Sequence, residues 1–263
     1  GNINDLSIFG QESNPTTWKM AMMNLAIRGI DANLGSFNDD TFFNDIHKNE
    51  RFDFVLANPP FNMKDWGGDK LKDDPRWKYG IPPEGNANFA WVQHMVHHLN
   101  RTGRMGMVLA NGSLSSQTGG EGDIRKALVE ADLIEGIVAM PPQLFYSTQI
   151  PVCLWILNKQ KSQPGKMLFI DAREMGTMVS RKLREFTGDD IAKVSKAFDA
   201  FRDGEIEEEK GFSAVTTLED VAKQDFILTP GRYVGIADAP EDDEPFEEKM
   251  VRLTGELAKC FEE

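Results

Sequence analysis

The chain has 263 residues, 40% hydrophobic and 27% charged, enough to bury one good core and a smaller second unit in an ordinary globular composition. No apolar run reaches the length of a membrane span and the amino terminus lacks a signal-peptide layout, so a cytoplasmic location without membrane contact is the expectation. A net charge of −13 opposes nonspecific binding to a polyanion, so if nucleic acid is the substrate something else must supply much of the grip.

Taken in chain order, Leu6, Ile8 and Phe9 predict a strand reaching Gly10, and Ser13 or Asn14 caps a helix with Pro15 in its first turn. Trp18, Met22, Leu25 and Ala26 recur at helical spacing, and Gly29 stops that helix. "FVLA" (54 to 57) has the apolar run of a strand covered on both faces, and residues 62 to 85 form a long loop. A helix follows with Phe89, Val92, Met95, Val96 and Leu99 inward, then the strand "RMGMVLANG", the helix "IRKALVEAD" and the strand "LIEGIVAMP". "VCLWILNK" and "KMLFID" are two strands whose short connection suggests a hairpin. Strands alternating with helices indicate an α/β protein with a doubly wound, mainly parallel sheet. After residue 175 the pattern becomes mainly helical, with a helix start at Thr187, an apolar stripe of Ile191, Val194, Phe198 and Phe201 and a terminal amphipathic helix carrying Met250, Leu253, Leu257 and Phe261. The division expected is an α/β domain over 1–175 and a mainly helical extension over 176–263, whose terminal stripe must pack on something.

The chemistry concentrates where "FVLA" ends in Asn58, Pro59, Pro60 and Phe61. Two prolines remove two backbone donors and make a stiff turn at a strand's carboxyl end, where open α/β sheets place their ligands. An exocyclic amine on a planar ring, such as N6 of adenine, is a poor nucleophile because its lone pair is delocalised. Two acceptors taking its two protons would favour a more tetrahedral nitrogen and aim the lone pair at an electrophile. The Asn58 side-chain carbonyl and the Pro59 backbone carbonyl are such acceptors, and Phe61 offers a flat face for the ring. An Asn-Pro-Pro segment also serves as a plain turn, and the loops flanking it at one sheet edge favour the catalytic reading.

Together "FGQESNPTTWKMAMMNLAIRGID", "FDFVLANPPFN", "RWKYGIPPEGNANFAWVQH", "VLANGSLSS", "EGDIRKALVEADLIEGIVAMPPQLFYSTQIPVCLWILNK", "LFIDAR" and "LTPGRYVG" resemble the modification subunit of type I restriction-modification systems, an N6-adenine DNA methyltransferase. The resemblance runs from Phe9 to about Phe246. It implies S-adenosylmethionine as methyl donor, a catalytic tetrapeptide at Asn58, Pro59, Pro60 and Phe61, and a ribose-binding acid at Glu12. It further implies a cofactor-adenine contact at Asp40, beside Asp39, and an aromatic clasp for a flipped adenine at Phe145. The implied partners are DNA, a sequence-specificity subunit, a restriction subunit with nuclease and translocase roles, and a second modification subunit. The family's glycine-rich cofactor loop and amino-terminal helical domain have no counterpart before Phe9, so the chain is expected to be a carboxyl-terminal fragment, inactive alone. "TGGEGDIRK" does not have the spacing of that loop and reads as an ordinary connection.

Other features have plainer readings. His94, His97 and His98 are expected to be surface or interface residues, with no metal site, and Cys153 and Cys260 to be reduced thiols. The loop around Trp66 and Trp77 suits either a single-strand contact or a lid packed on its own rings. The rival functions are methylation of a guanine amine in RNA or of a glutamine amide, and a scaffold without catalysis.

Overall fold

A computed structural model describes residues 6–236 together with 250 and 254. Six strands form the central sheet in the order β10-β7-β5-β6-β4-β3: β3 (Phe52–Ala57), β4 (Leu99–Ala110), β5 (Ile134–Ala139), β6 (Val152–Asn158), β7 (Lys166–Asp171) and β10 (Ser213–Thr217). β3, β4, β5 and β7 run in one direction, while β6 and β10 oppose them. The sheet is therefore mixed, with four co-directional strands carrying the doubly wound pattern. A separate parallel pair, β1 (Ile8–Phe9) and β2 (Ala32–Asn33), brackets α1 (Pro15–Ile27), and β8 (Thr177–Met178) pairs with β9 (Arg184–Glu185).

Helices cover both faces of the sheet. α2 (Asn88–His98), α3 (Glu121–Glu130) and α5 (Leu218–Lys223) bury Phe89, Val92, Ile124, Leu128 and Val221 against β4 and β6, with Trp155 at the centre. Trp155 meets Phe89 edge to face and donates its indole N–H to Ser113, so the largest core side chain keeps its polar atom satisfied. On the opposite face α4 (Gly188–Asp203) buries Phe198 and Phe201 against Leu168 and Ile170. Gly136 makes this contact possible, since a Cβ there would lie 2.8 Å from the Phe198 ring. The α4 start follows the sequence expectation, with Thr187 and Asp190 forming a reciprocal capping box. Ile191 departs from the expected stripe and is exposed.

Several expectations are corrected. β6 and β7 are not a hairpin: β5 lies between them, antiparallel to one and parallel to the other. The connection crosses the start of β5, where Asp132 holds it through Lys161 and the Gly165 N–H. β3 is an edge strand rather than a covered one. Its Val55 and Ala57 pack on the core, but Phe54 and Leu56 on the other face are 72% and 87% exposed. α1 is capped by Asn14 as expected, yet it has no buried residue, and Met22 and Ala26 of its expected inner face are exposed. His94 and His98 are buried, not superficial. Cys153 is a buried free thiol whose pKa burial pushes up to about 12. β10 and α4, which follow residue 175, belong to the sheet and its covering layer. The terminal apolar stripe lies outside the described residues except for Met250, as does Cys260.

Candidate functional site

β3 delivers its last residue, Ala57, opposite Met107 of β4, so the turn that follows sits at the carboxyl ends of two parallel strands. Pro59 is buried, Asn58 and Pro60 are exposed, and Phe61 is half-buried. The chain then turns back through Asn62, whose φ of 51° lies in the left-handed region that asparagine tolerates better than most side chains. Asn88, at the start of α2, holds that conformation reciprocally: its Oδ1 accepts from the Asn62 N–H at 3.0 Å and its Nδ2 donates to Asn62 Oδ1 at 2.9 Å. Asn86 adds a longer bond to the same oxygen at 3.3 Å. The Ala87 N–H donates to the Met63 carbonyl, fastening the turn a second time.

Phe145, in the connection between β5 and β6, meets Phe61 edge to face with ring centroids 5.8 Å apart. Phe145, 84 positions further along the sequence, thus joins Phe61 at the tetrapeptide. Asn111, one residue beyond the end of β4, leaves its buried Oδ1 without a partner, a further acceptor at the same end of the sheet.

Glu12 and the Asp39–Asp40 pair form a second group at the carboxyl ends of β1 and β2. The Asp39 N–H donates to the Glu12 carbonyl, joining the two segments. Glu12 Oε1 accepts from the Asn14 N–H at 2.8 Å, which orients the carboxylate. Asp39 commits one oxygen to the Asp40 N–H and the other to Asn44. Asp40 commits Oδ1 to the Phe42 and Phe43 N–H groups. The structure thus assembles the expected residues in two sets, Phe61 with Phe145 and Glu12 with Asp40.

The histidines expected at the surface form a buried network instead. His98 faces Asp45 through Nε2 at 2.8 Å and the Glu50 carbonyl through Nδ1 at 3.1 Å. His94 Nδ1 lies 3.0 Å from Arg76, whose guanidinium also binds Asp74 and the Thr41 carbonyl. Burial would raise the Asp45 pKa, but the His98 hydrogen bond and nearby positive charge outweigh it and hold the group at about 2. Burial, with the charges of His98 and Arg76, pushes His94 down to about 3. Asp45, His94 and His98 bring their ligating atoms within 4.8 Å of one another. A guanidinium can only donate, however, so a neutral His94 spends its lone pair on Arg76 and keeps its proton on Nε2, which leaves none for a metal. The network is a clamp that joins α2 to the 41–51 and 74–76 segments.

The tryptophan loop belongs to the same scaffold. Trp66 and Trp77 are buried with Phe42, their rings 5.9 Å apart, so the packed reading of this loop holds. The residues that elude sequence reading are Asn62, Asn88 and Arg76. The "GNAN" spelling before a helix is the one local signal that could have marked Asn88, as a polar residue at a helix start.

The sequence matches the family described as N-6 DNA Methylase over residues 1–242. It is 53% identical over 262 residues to the type I restriction enzyme HindI methylase subunit of Haemophilus influenzae, covering 99% of this chain and 59% of that protein. It is 42% identical to the type I restriction enzyme MjaIX methylase subunit of Methanocaldococcus jannaschii, covering 100% of this chain and 48% of that protein. The chain therefore spans about half the length of these relatives. Among solved structures, the type I restriction-modification methyltransferase subunit from Streptococcus thermophilus superposes with a TM-score of 0.77 at 32% identity, over 86% of this chain and 48% of that one. The EcoKI M protein shares the fold, with a TM-score of 0.66 at 18% identity over 96% of this chain and 57% of that one. On a family match covering most of the chain and a relative that is 53% identical over nearly all of it, this chain belongs to the N-6 DNA methylase family.

Proposed function

We propose that the protein is the modification subunit of a type I restriction-modification system and methylates N6 of an adenine turned out of duplex DNA. The observation that carries this reading is the Phe61–Phe145 pair standing at the Asn58-Pro59-Pro60 turn. An adenine inside a duplex cannot reach such a turn, so the base has to leave the stack, and the two rings provide apolar surface to receive it. Asn58 Oδ1 and the Pro59 carbonyl each accept one amine proton, which localises the nitrogen lone pair for attack. Pro59 is buried and the rings of Pro59 and Pro60 fix φ at both residues, so the acceptor is held by a stiff turn. The amine needs no tuned general base, because once the methyl–sulfur bond has broken and the methyl is on N6, that nitrogen is a cation still bearing two protons, one of which is acidic and passes to solvent.

S-adenosylmethionine would supply an electrophilic methyl group on a sulfonium. The donor set at the β1–β2 end fits its nucleoside half: a carboxylate at Glu12, oriented by the Asn14 N–H, is suited to two vicinal hydroxyls, and Asp40 to an adenine amine. The chain spans about half the length of its curated relatives, so the activity proposed is that of a full-length subunit. The net charge of −13 supports a division of labour in which a specificity subunit grips and selects the DNA, with a restriction subunit and a second modification subunit completing the assembly. No helix among the described residues is long and apolar enough to cross a membrane, in keeping with a cytoplasmic assembly.

Asn58→Ala in the complete subunit tests the proposal. Loss of N6-methyladenine from the hydrolysed product with unchanged thermal unfolding is the expected outcome. Retained methylation rejects Asn58, and a different methylated product rejects the substrate.

A further inference from the structure

β5 and β7 run parallel and side by side, so the connections leaving their carboxyl ends emerge together, at the end of the sheet that also carries the Asn58–Phe61 turn. The first connection holds Phe145, and the second holds the β8–β9 hairpin. Gln143 joins them. Its carbonyl accepts from the Arg184 N–H at 2.8 Å, and its side-chain amide donates to the Arg181 carbonyl at 3.4 Å. Gln143 holds a φ of 68°, in the left-handed region that a glutamine seldom adopts, so the hairpin fastens a strained residue in place. This point of attachment is at most about 7 Å along the chain from Phe145.

The hairpin tip is rich in donors. Ser180 Oγ accepts from the Lys182 and Leu183 N–H groups at 3.3 and 3.1 Å, and the Val179 N–H donates to the Leu183 carbonyl, so the turn is ordered although exposed. With its oxygen already accepting, the Ser180 hydroxyl has its own proton left to give. Arg181 and Lys182 are exposed, and their charged ends have no partner among the described residues. Arg184, by contrast, spends its guanidinium on the Met175 carbonyl. A chain of net charge −13 thus places two unpaired cations and a hydroxyl on a fixed turn beside its aromatic pair.

We propose that the Ser180–Lys182 tip grips the DNA backbone phosphates on either side of the extrahelical adenine, Arg181 and Lys182 each neutralising one and the Ser180 hydroxyl donating to an oxygen. The proposal rests on the DNA-methylation reading for the identity of the ligand. Cations and hydroxyls are the groups through which proteins hold phosphates, and such contacts fix position without reading a base. Selection of the sequence stays with the specificity subunit, while the hairpin steadies the nucleotide whose base meets Phe145.

The test uses the complete subunit assembled with its specificity partner, as wild type and with Arg181→Gln and Lys182→Gln combined. Duplex affinity is measured over a range of salt concentrations. The variant is expected to lower the slope of log affinity against log salt by about 1 for each cation removed, and to weaken binding to duplexes with and without the recognition site alike. Methylphosphonates flanking the target adenine should weaken the wild type about fivefold or more and the variant hardly at all. An unchanged slope, or an equal methylphosphonate effect in both proteins, overturns the proposal. Loss of the specificity subunit from the variant in size-exclusion chromatography overturns it too, because the tip is then a protein contact. N6-methyladenine formation by the wild type, measured in parallel, separates the two readings. Methylation with an unchanged slope rejects the hairpin contact alone. The expected slope and methylphosphonate effects without methylation uphold the phosphate contact and reject the methylation reading.

Discussion

Asn88 exchanges two hydrogen bonds with Asn62, one to its backbone and one to its side chain, and through them fixes the exit of the Asn58–Phe61 turn. Asn62 stands at a positive φ and Asn88 is 2% exposed, so the pair holds a strained residue from inside the core. Asn88→Ala leaves Asn62 unheld and is expected to destabilise the protein by about 1–3 kcal/mol. Methylation by the complete subunit should fall further than stability accounts for, with kcat more affected than KM. Asn88→Asp keeps the acceptor but not the donor and should lie between. Equal losses in an unrelated core variant of matched stability would show that Asn88 acts only through folding.

On the proposed reading, Phe61 and Phe145 make separate contributions to holding the extrahelical base. Removing either ring should cost about 1–3 kcal/mol in binding to DNA whose target position is already unpaired. Phe61→Tyr should retain most of that binding, because the face is preserved. Fluorescence of 2-aminopurine at the target position checks both statements: the signal of an unstacked base is expected to change on Phe145→Ala, since one of its two apolar neighbours is gone.

Much of this arrangement was legible from local chemistry. Asn14, Pro15 and Thr187 announced their helices because a cap is a contact between near neighbours in the chain. The Asn58–Phe61 turn could be read from its prolines alone. What stayed hidden depends on distant partners. The His94 and His98 rings look superficial in a string, and only Arg76 and Asp45, 18 and 53 residues away, make them a buried clamp. The placement of β5 between β6 and β7 likewise rests on long-range strand pairing, with Asp132 holding the later loop, and no periodicity encodes either. Phe54 and Leu56 misled in the opposite sense, since an apolar run signals what a strand can bury and not which of its faces is covered.

Those two residues, with Met20, Met23 and Ile27 of α1, are exposed apolar side chains. Exposed apolar groups on an edge strand favour association between molecules. Phe54→Glu and Leu56→Lys should change stability by no more than about 0.5 kcal/mol, because neither contact is buried. Both should reduce self-association of this chain in sedimentation and its enhancement of ANS fluorescence. A marked loss of stability would mean that these side chains are covered in solution.

The clamp around α2 sets the response to acid. His94 titrates near 6.5 in an unfolded chain but only at about 3 in the fold, because burial and the charges of His98 and Arg76 disfavour its charged form. Between those values the unfolded chain binds a proton that the folded chain excludes, so stability rises with pH across the window at about 1.4 kcal/mol per unit. Asp45 acts in the same direction lower down: its pKa falls from 3.8 to about 2, so its stabilisation is full above 3.8 and lost as pH drops through 2. Acid unfolding should therefore start below pH 6.5, with a second contribution under pH 4. Urea unfolding at pH 7 and at pH 5 measures the first part. His94→Asn removes the titrating ring while retaining a side chain able to accept from Arg76, so it should lower stability at pH 7 and flatten the difference between the two pH values. An unchanged difference in that variant would place the acid sensitivity elsewhere in the molecule.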